Sequence, residues 1–368
     1  MPIDKEFNHR QLCRIEQLLD KKRNSYKVDL HIHTCYSADG LQTVEQAIQK
    51  AKEKQFDIIS ITDHDSINAY DEIIKKDLWE NQDMPIIIPG VEFTVSYPEY
   101  EGRCHVLKYF FDTSNPGLKD NLDKNCRAYE NRTHIWFQRI KENMCLQDYF
   151  KDYGISCSEK GYWDYLKNCT VKIPEYPTLM QYLYSLLSEK GIDVWNVYEK
   201  TVAYNDIDQC EERRKKKKVA LKRFYNKYFG KEISHNFRKL RPILAPVGID
   251  DTEFTGFKSS GCLSVNEYGQ VSIQELINSG FNILAHPDGS KLHCVEELTE
   301  VLVGLEMNCH SDMDLNYEVQ GKARRMGLII TKGSDKHSDT EEFYENDSFY
   351  NISSEELQQI VQCAKSVI

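Results

Sequence analysis

Histidines and carboxylates recur beside short apolar runs along this chain, beginning with His31 and His33 in Val-Asp-Leu-His-Ile-His-Thr-Cys-Tyr-Ser-Ala-Asp-Gly. Side chains of an extended segment alternate with period two, so these two imidazoles project to one side and can offer neutral nitrogens to one cation. Asp63-His64-Asp65 follows Asp57-Ile-Ile-Ser-Ile-Thr, and Glu92 follows Ile86-Ile-Ile-Pro-Gly-Val. His286 follows Asn282-Ile-Leu-Ala, and Asp335-Lys336-His337 follows Leu328-Ile-Ile-Thr-Lys-Gly-Ser. Cys104-His105 opens the run Val106 to Phe111, while Glu306 lies in Gly304-Leu-Glu-Met-Asn with His310 just beyond. Desolvation penalises a charge at the end of a buried strand unless that charge is paired or metal-bound. Its recurrence predicts that these ends converge, as they do at the mouth of a barrel of parallel strands.

The elements around these residues alternate. Leu12, Ile15, Leu18 and Leu19 have helical spacing within 5–23. Thr43-Val-Glu-Gln46 reads as a capping box opening a helix that carries Ala47, Ile48 and Ala51, before the next strand near Phe56. The alternation returns from about 270: helical over 271–279, a strand over Phe281 to Ala285, helical over 295–301, then strands ending at Glu306 and Thr331. Ser353-Ser-Glu-Glu356 is a second capping box before a closing helix with Leu357, Ile360, Val361 and Ala364 on one face. Between 113 and 245 β-branched runs fade and Tyr, Lys, Asn and Glu dominate, which predicts a mostly helical insertion. The expected organisation is an N-terminal helix over 1–25, barrel over 26–112, insertion over 113–245, and the rest of the barrel with a C-terminal helix over 246–368.

With 368 residues, 40% hydrophobic and 29% charged, the chain is long enough for one large domain with an insertion or for two domains. It lacks the roughly 18 to 20 consecutive apolar residues of a membrane span and has no signal-peptide core at its N-terminus, so no membrane partner and a cytoplasmic location are expected. The twelve cysteines are scattered without a Cys-x-x-Cys pair, which reads as reduced thiols rather than a disulfide framework or a zinc knuckle. A net charge of −11 argues against coating nucleic acid with the whole surface, yet leaves room for a local basic groove. The insertion holds such a candidate: Arg213 to Lys218 precedes Leu221, Phe224, Tyr225 and Tyr228. Basic side chains beside aromatics could track a single-stranded backbone and stack bases. The competing reading is a solvated face whose lysines pair with Glu211 and Glu212 and whose aromatics are core. A protein partner docking through the insertion is a further alternative.

His-x-His-Thr-x-Tyr-Ser-x-Asp-Gly, Ile-Thr-Asp-His-Asp-Ser, Gly-Val-Glu, Ala-His-Pro and Gly-Ser-Asp-x-His occur in this order, over about 26–111 and 265–340. In these motifs the chain resembles the polymerase and histidinol phosphatase (PHP) superfamily, most of all its free-standing phosphoesterases acting on nucleotides and oligonucleotide ends. The resemblance implies an α/β fold, a distorted (β/α)7 barrel with two or three divalent metals at its mouth. It implies that His31, His33, Glu92 and Asp335 hold a first metal, and Asp39, His64 and His337 a second. Glu92 would bridge to a third held with His105 and His286. Glu306 and His310 fall outside this ligand set and are placed behind it. Asp39 stands one residue further from the histidine pair than in the shortest family versions.

Such a centre would lower the pKa of a bridging water, giving hydroxide that attacks phosphorus in line. His64, Asp65 and His337 are candidates to assist the leaving oxygen, and Arg103, Lys332 and Lys336 to hold a substrate phosphate. A histidine-rich donor set favours manganese, zinc or iron over magnesium. The leading expectation is a phosphoesterase acting on nucleotides or nucleic-acid ends. Alternatives are a small-metabolite phosphatase of the histidinol-phosphate type, and a regulatory or binding subunit with a structural metal cluster.

Overall fold

The computed structural model describes residues 3–37, 40, 42–97, 102–142, 147, 150–151, 154–169, 173–174, 176–190, 269–276, 281–309, 311–337 and 347–368. Asp39, His310 and Arg213 to Lys218 lie outside them, as does the side chain of Arg103. The chain divides into two compact units, one formed by Met1–Cys126 with Gly269–Ile368 and the other by Arg127–Tyr268.

In the first unit, α1 (Lys5–Leu19) leads into β1 (Ser25–Ile32), α2 (Val44–Glu53), β2 (Ile58–Ile61), α3 (Ala69–Lys75), β3 (Ile86–Tyr97) and β4 (Gly102–Tyr109). The helix α4 (Pro116–Glu142) follows. Both capping boxes form: Thr43 and Gln46 cap α2, and Ser353 and Glu356 cap the last helix, Ser354–Val367. Beyond residue 269 come β5 (Phe281–Leu284), β6 (Gly304–Asn308), β7 (Ile329–Gly333) and the short β8 (Asn351–Ser353). The sheet runs β7-β6-β5-β4-β3-β2-β1-β8. It curls until the loop after β7 meets the end of β1, where the His33 N–H donates to the Lys336 carbonyl (2.8 Å) and the Asp335 N–H to the His31 carbonyl (2.8 Å).

β4 departs from the all-parallel expectation, since it pairs antiparallel with both β3 and β5. The direction is set by the short link from β3, which is too brief for the crossover that a parallel neighbour needs. The helix expected over 271–279 is, among the described residues, a single 3-10 turn, Ile273–Leu276. Val271 is instead held extended, its carbonyl accepting from the Ser96 N–H at 2.8 Å. The expected helix over 295–301 is likewise a 3-10 turn, Val295–Leu298.

Strand parity sorts the apolar residues into two cores. One takes Ile58, Ile86, Ile88, Leu107, Tyr109, Ile283 and Ile329, and continues into Leu12 and Ile15 of α1 and Leu357 and Ile360 of the last helix. The other takes Ile59, Ile61, Ile87, Val91, Val106 and Ile330, packed with Ala47 and Ile48 of α2 and Ile73 of α3. Glu92 and His105 keep the parity of the first core but lie where β3 and β4 approach the mouth. Burying an aliphatic side chain of this kind contributes about 1.5–3 kcal/mol, so the strands form a rigid mount for those two residues.

In the second unit the described elements are helical: the later part of α4, then Glu159–Asn168 and Tyr176–Glu189. Phe137, Tyr162 and Tyr182 cluster there, with ring centroids 5.5–6.4 Å apart. The buried Arg132 lies over Tyr129 and Trp136.

Candidate metal centre

Glu92 occupies the middle of the mouth with its side chain fully buried. Its Oε2 lies 3.0 Å from Nε2 of His31 and of His33 and 3.3 Å from Nδ1 of His64. Its Oε1 lies 3.1 Å from Nδ1 of His105 and from Nε2 of His286. Asp335 completes the arrangement, with Oδ1 3.2 Å from His33 Nε2 and 3.5 Å from His31 Nε2. The reversed β4 explains His105: at the mouth an antiparallel strand presents its beginning, so its histidine precedes the apolar run.

Hydrogen bonding alone does not account for this geometry. His33 Nε2 has three neighbours at 3.0–3.2 Å, one of them the Nε2 of His31. A ring nitrogen carries one proton or one lone pair. Donor atoms about 2.1 Å from a common cation lie about 3.0–3.4 Å from one another, between right-angle and tetrahedral geometry. The observed spacing and the mixture of imidazole and carboxylate therefore fit divalent cations. Among the described residues three donor groups qualify: His31, His33, Glu92 and Asp335; His33, His64 and His337; and His64, Glu92 and His105. His33 thus joins the group expected of His64 and His337, and His64 joins that of Glu92 and His105.

The rings are held from behind. His31 Nδ1–H donates to Glu306 Oε1 at 2.8 Å, and the other oxygen of Glu306 accepts from the His286 N–H at 2.7 Å. His337 Nδ1–H donates to the Asp335 carbonyl at 2.7 Å, which leaves Nε2 with its lone pair. The His31–Glu306 contact passes Gly333, where a Cβ would meet Glu306 Oε1 at 2.2 Å and the His31 Cβ at 2.3 Å. Asp65, His286 and Asp335 adopt positive φ of 48°, 27° and 52°. Such backbone is sparsely populated by non-glycine residues and clusters at functional sites.

Burial pushes the Glu92 carboxyl up, but His31, His64 and His105 outweigh it and hold the group well below the usual carboxylate range. Burial opposes protonation of His31, yet Glu306, Glu92 and Asp335 prevail and raise it well above an ordinary histidine. For His105 burial wins over the attraction of Glu92 and pulls the ring down to about 3. Neither nearby cysteine is poised as a thiolate, since burial pushes Cys35 up to about 11 and Cys104 up to about 12.

The other expected residues sit differently. Asp65 Oδ1 accepts from the Thr94 N–H at 3.1 Å and from Asn125 at 2.6 Å. Lys332 Nζ donates to the Asn351 carbonyl at 2.7 Å and lies over Phe349. Lys336 is buried, and its carbonyl takes the His33 N–H. Sequence reasoning assigned no role to two further buried acids. Asp63 accepts from the N–H and hydroxyl of Thr34 at 2.5 and 2.7 Å, and Asp29 accepts from the N–H groups of Ser334 and His31 at 2.9 and 3.3 Å. Their signal was an acid one or two positions before a motif histidine.

Residues 29–231 match the PHP domain family. The chain belongs to this family. A 118-residue stretch is 30% identical to the 5'-3' exoribonuclease Rnm of Salmonella typhimurium and 29% identical to that of Escherichia coli. Each match covers 31% of this chain and 38% of the relative, so the chain spans well under half the length of these curated relatives. An inferred metal-dependent phosphoesterase from Bifidobacterium adolescentis superposes with a TM-score of 0.53 over 92% of this chain and 96% of that one. At 18% identity this likeness shows a shared fold. Among the described residues, no helix is long and apolar enough to cross a membrane.

Proposed function

We propose that this PHP chain is a metal-dependent phosphoesterase hydrolysing phosphate esters of nucleotides or of nucleic-acid ends. The observation that carries the reading is the Glu92 carboxylate among five imidazoles, with Asp335 beside it. His31, His33, Glu92 and Asp335 would surround one cation, and His64, His105, His286 and His337 would hold others beside Glu92; each neutral ring gives one lone pair to one cation, so His33 and His64 each serve one of the groups in which they stand. Cations bound there supply positive charge to phosphoryl oxygens and lower the pKa of a water to near neutrality.

The remaining work falls to the chain's own groups. His31, His33 and Glu92 form a dry floor, whereas Asp335, His105 and His286 keep 20–25% of their side chains exposed and form the rim that a phosphate ester meets. Glu306 fixes the His31 tautomer, and the Asp335 carbonyl fixes that of His337. His64, with 14% of its side chain exposed, stands between floor and rim and acts there as a ligand, so it is not also the proton donor to the departing oxygen. The preference for nucleic-acid ends is supported by the partial identity to proteins named 5'-3' exoribonucleases. Single-strand contact through Arg213 to Lys218 belongs to the same reading.

The test is a panel of mononucleotides, 3',5'-bisphosphates, histidinol phosphate and end-labelled DNA and RNA, with manganese, zinc or magnesium, beside His33→Ala. Hydrolysis of nucleotides or oligonucleotide ends that vanishes in His33→Ala is expected. Hydrolysis confined to histidinol phosphate would move the chain to the metabolite phosphatases. Intact substrates with bound metal demonstrated would sink the enzymatic reading.

A further inference from the structure

A network of buried polar groups behind His64 has no place in the ligand set. Asp65, in the left-handed region, donates its N–H to the Glu92 carbonyl at 2.9 Å. Its Oδ1 accepts from the Thr94 N–H and from Asn125 Nδ2, which also donates to the Thr94 carbonyl at 2.8 Å. Asn125 Oδ1 accepts from the Val271 N–H at 2.8 Å, and the Val271 carbonyl accepts from the Ser96 N–H. One fully buried amide thus joins α4, β3, the loop after β2 and the segment beyond residue 269. Beside it on the surface, Lys124 pairs with Glu275 at 2.6 Å. The first unit's two stretches end at Cys126 and resume at Gly269, so Asn125 clamps the chain where it leaves this unit and where it returns.

We infer that Asn125 is a positioning residue that acts through Asp65 to hold His64 in register with Glu92. A carboxylate that receives a backbone N–H and a side-chain amide is engaged as an acceptor, so Asp65 serves as an anchor in a strained turn and not as the proton donor. Three buried hydrogen bonds meet at Asn125, and deleting its side chain leaves their partners without them. The strained turn at Asp65 would then relax, and His64 would move away from two of the three donor groups. The inference rests on the reading of this centre as a metal-dependent phosphoesterase site.

Two readouts separate it from that reading. Hydrogen exchange of Asn125→Ala should show the peptide over 62–67 exchanging about tenfold or more faster, with β1, β6 and β7 unchanged. Metal content, measured on manganese-loaded protein, should fall by the cation that His64 helps to hold. Wild-type exchange and metal content in this variant would overturn the inference. Should Asn125→Ala fail to fold, Asp65→Ala and Asp65→Asn decide: asparagine, which retains an acceptor oxygen, should restore the protection and metal content lost in alanine. It should also leave the shape of the pH profile of kcat as in the wild type. Loss of the limb set by the acid, with metal content intact, would make Asp65 the proton donor and overturn the assignment. A wild-type protein that binds no metal refutes the functional reading, while the exchange comparison still decides the role of Asn125.

Discussion

Glu92→Gln separates a centre organised around one carboxylate from a loose collection of ligands. Glutamine keeps the volume but removes the charge and turns one oxygen into an amide nitrogen that donates and does not ligate. The two oxygens of Glu92 serve different imidazoles, Oε2 facing His31, His33 and His64, and Oε1 facing His105 and His286. Two of the three donor groups contain Glu92, so only the His33, His64 and His337 group keeps its full donor set. A site filled at a hundred times its Kd stabilises the fold by about 2.7 kcal/mol, so two lost sites remove about 5 kcal/mol of metal-dependent stability. With chelator present a deficit of about 3–5 kcal/mol remains, because buried imidazoles lose their counter-charge. The assay is metal content by plasma mass spectrometry after dialysis, paired with urea unfolding with and without chelator. Wild-type metal content in Glu92→Gln, with the same metal-dependent gain in stability, would refute the reasoning.

Gly333→Ala should weaken metal binding, because its Cβ would overlap both Glu306 and His31; isothermal titration with manganese checks this, and unchanged affinity would show that the close passage is dispensable. Lys108 is buried on β4 with no hydrogen-bond partner for Nζ among the described residues, and burial pulls it down to about 7. The unfolded chain therefore binds more protons between about pH 7 and 10.5, and stability should rise with pH across that window. Lys108→Met should raise stability at pH 7 by up to about 4 kcal/mol, with the gain shrinking by pH 9; a pH-independent gap in urea unfolding would count against the burial argument.

The residues that gather at the mouth were legible because they stand at changes of pattern. His31 and His33 end an apolar strand, Glu92 ends Ile86 to Val91, and both capping boxes mark where helices begin. The position of His105 before its apolar run even carried the direction of β4, although parity arguments for parallel strands do not use it. Asn125 offered no such signal: it lies among Asn, Asp and Lys residues that read as a solvated helix face, and only tertiary packing buries it. The segment after 270 misled for a related reason, since an apolar spacing that suits a helix also suits an extended run pinned by Ser96 and Asn125.

Closure of the barrel through the His33 N–H and the Lys336 carbonyl has a consequence for biosynthesis. His31, His33, His64, Glu92 and His105 leave the ribosome early, but His286, Glu306, Asp335 and His337 follow only after residues 127–268 have been made. At about 5–20 residues per second that interval is on the order of tens of seconds. Throughout it the nascent chain carries an anionic Glu92 and several imidazoles without the strands that enclose them. A metal-competent site is therefore completed late, and a chain cut short before β7 lacks the Asp335 carboxylate and the seam that closes the ring.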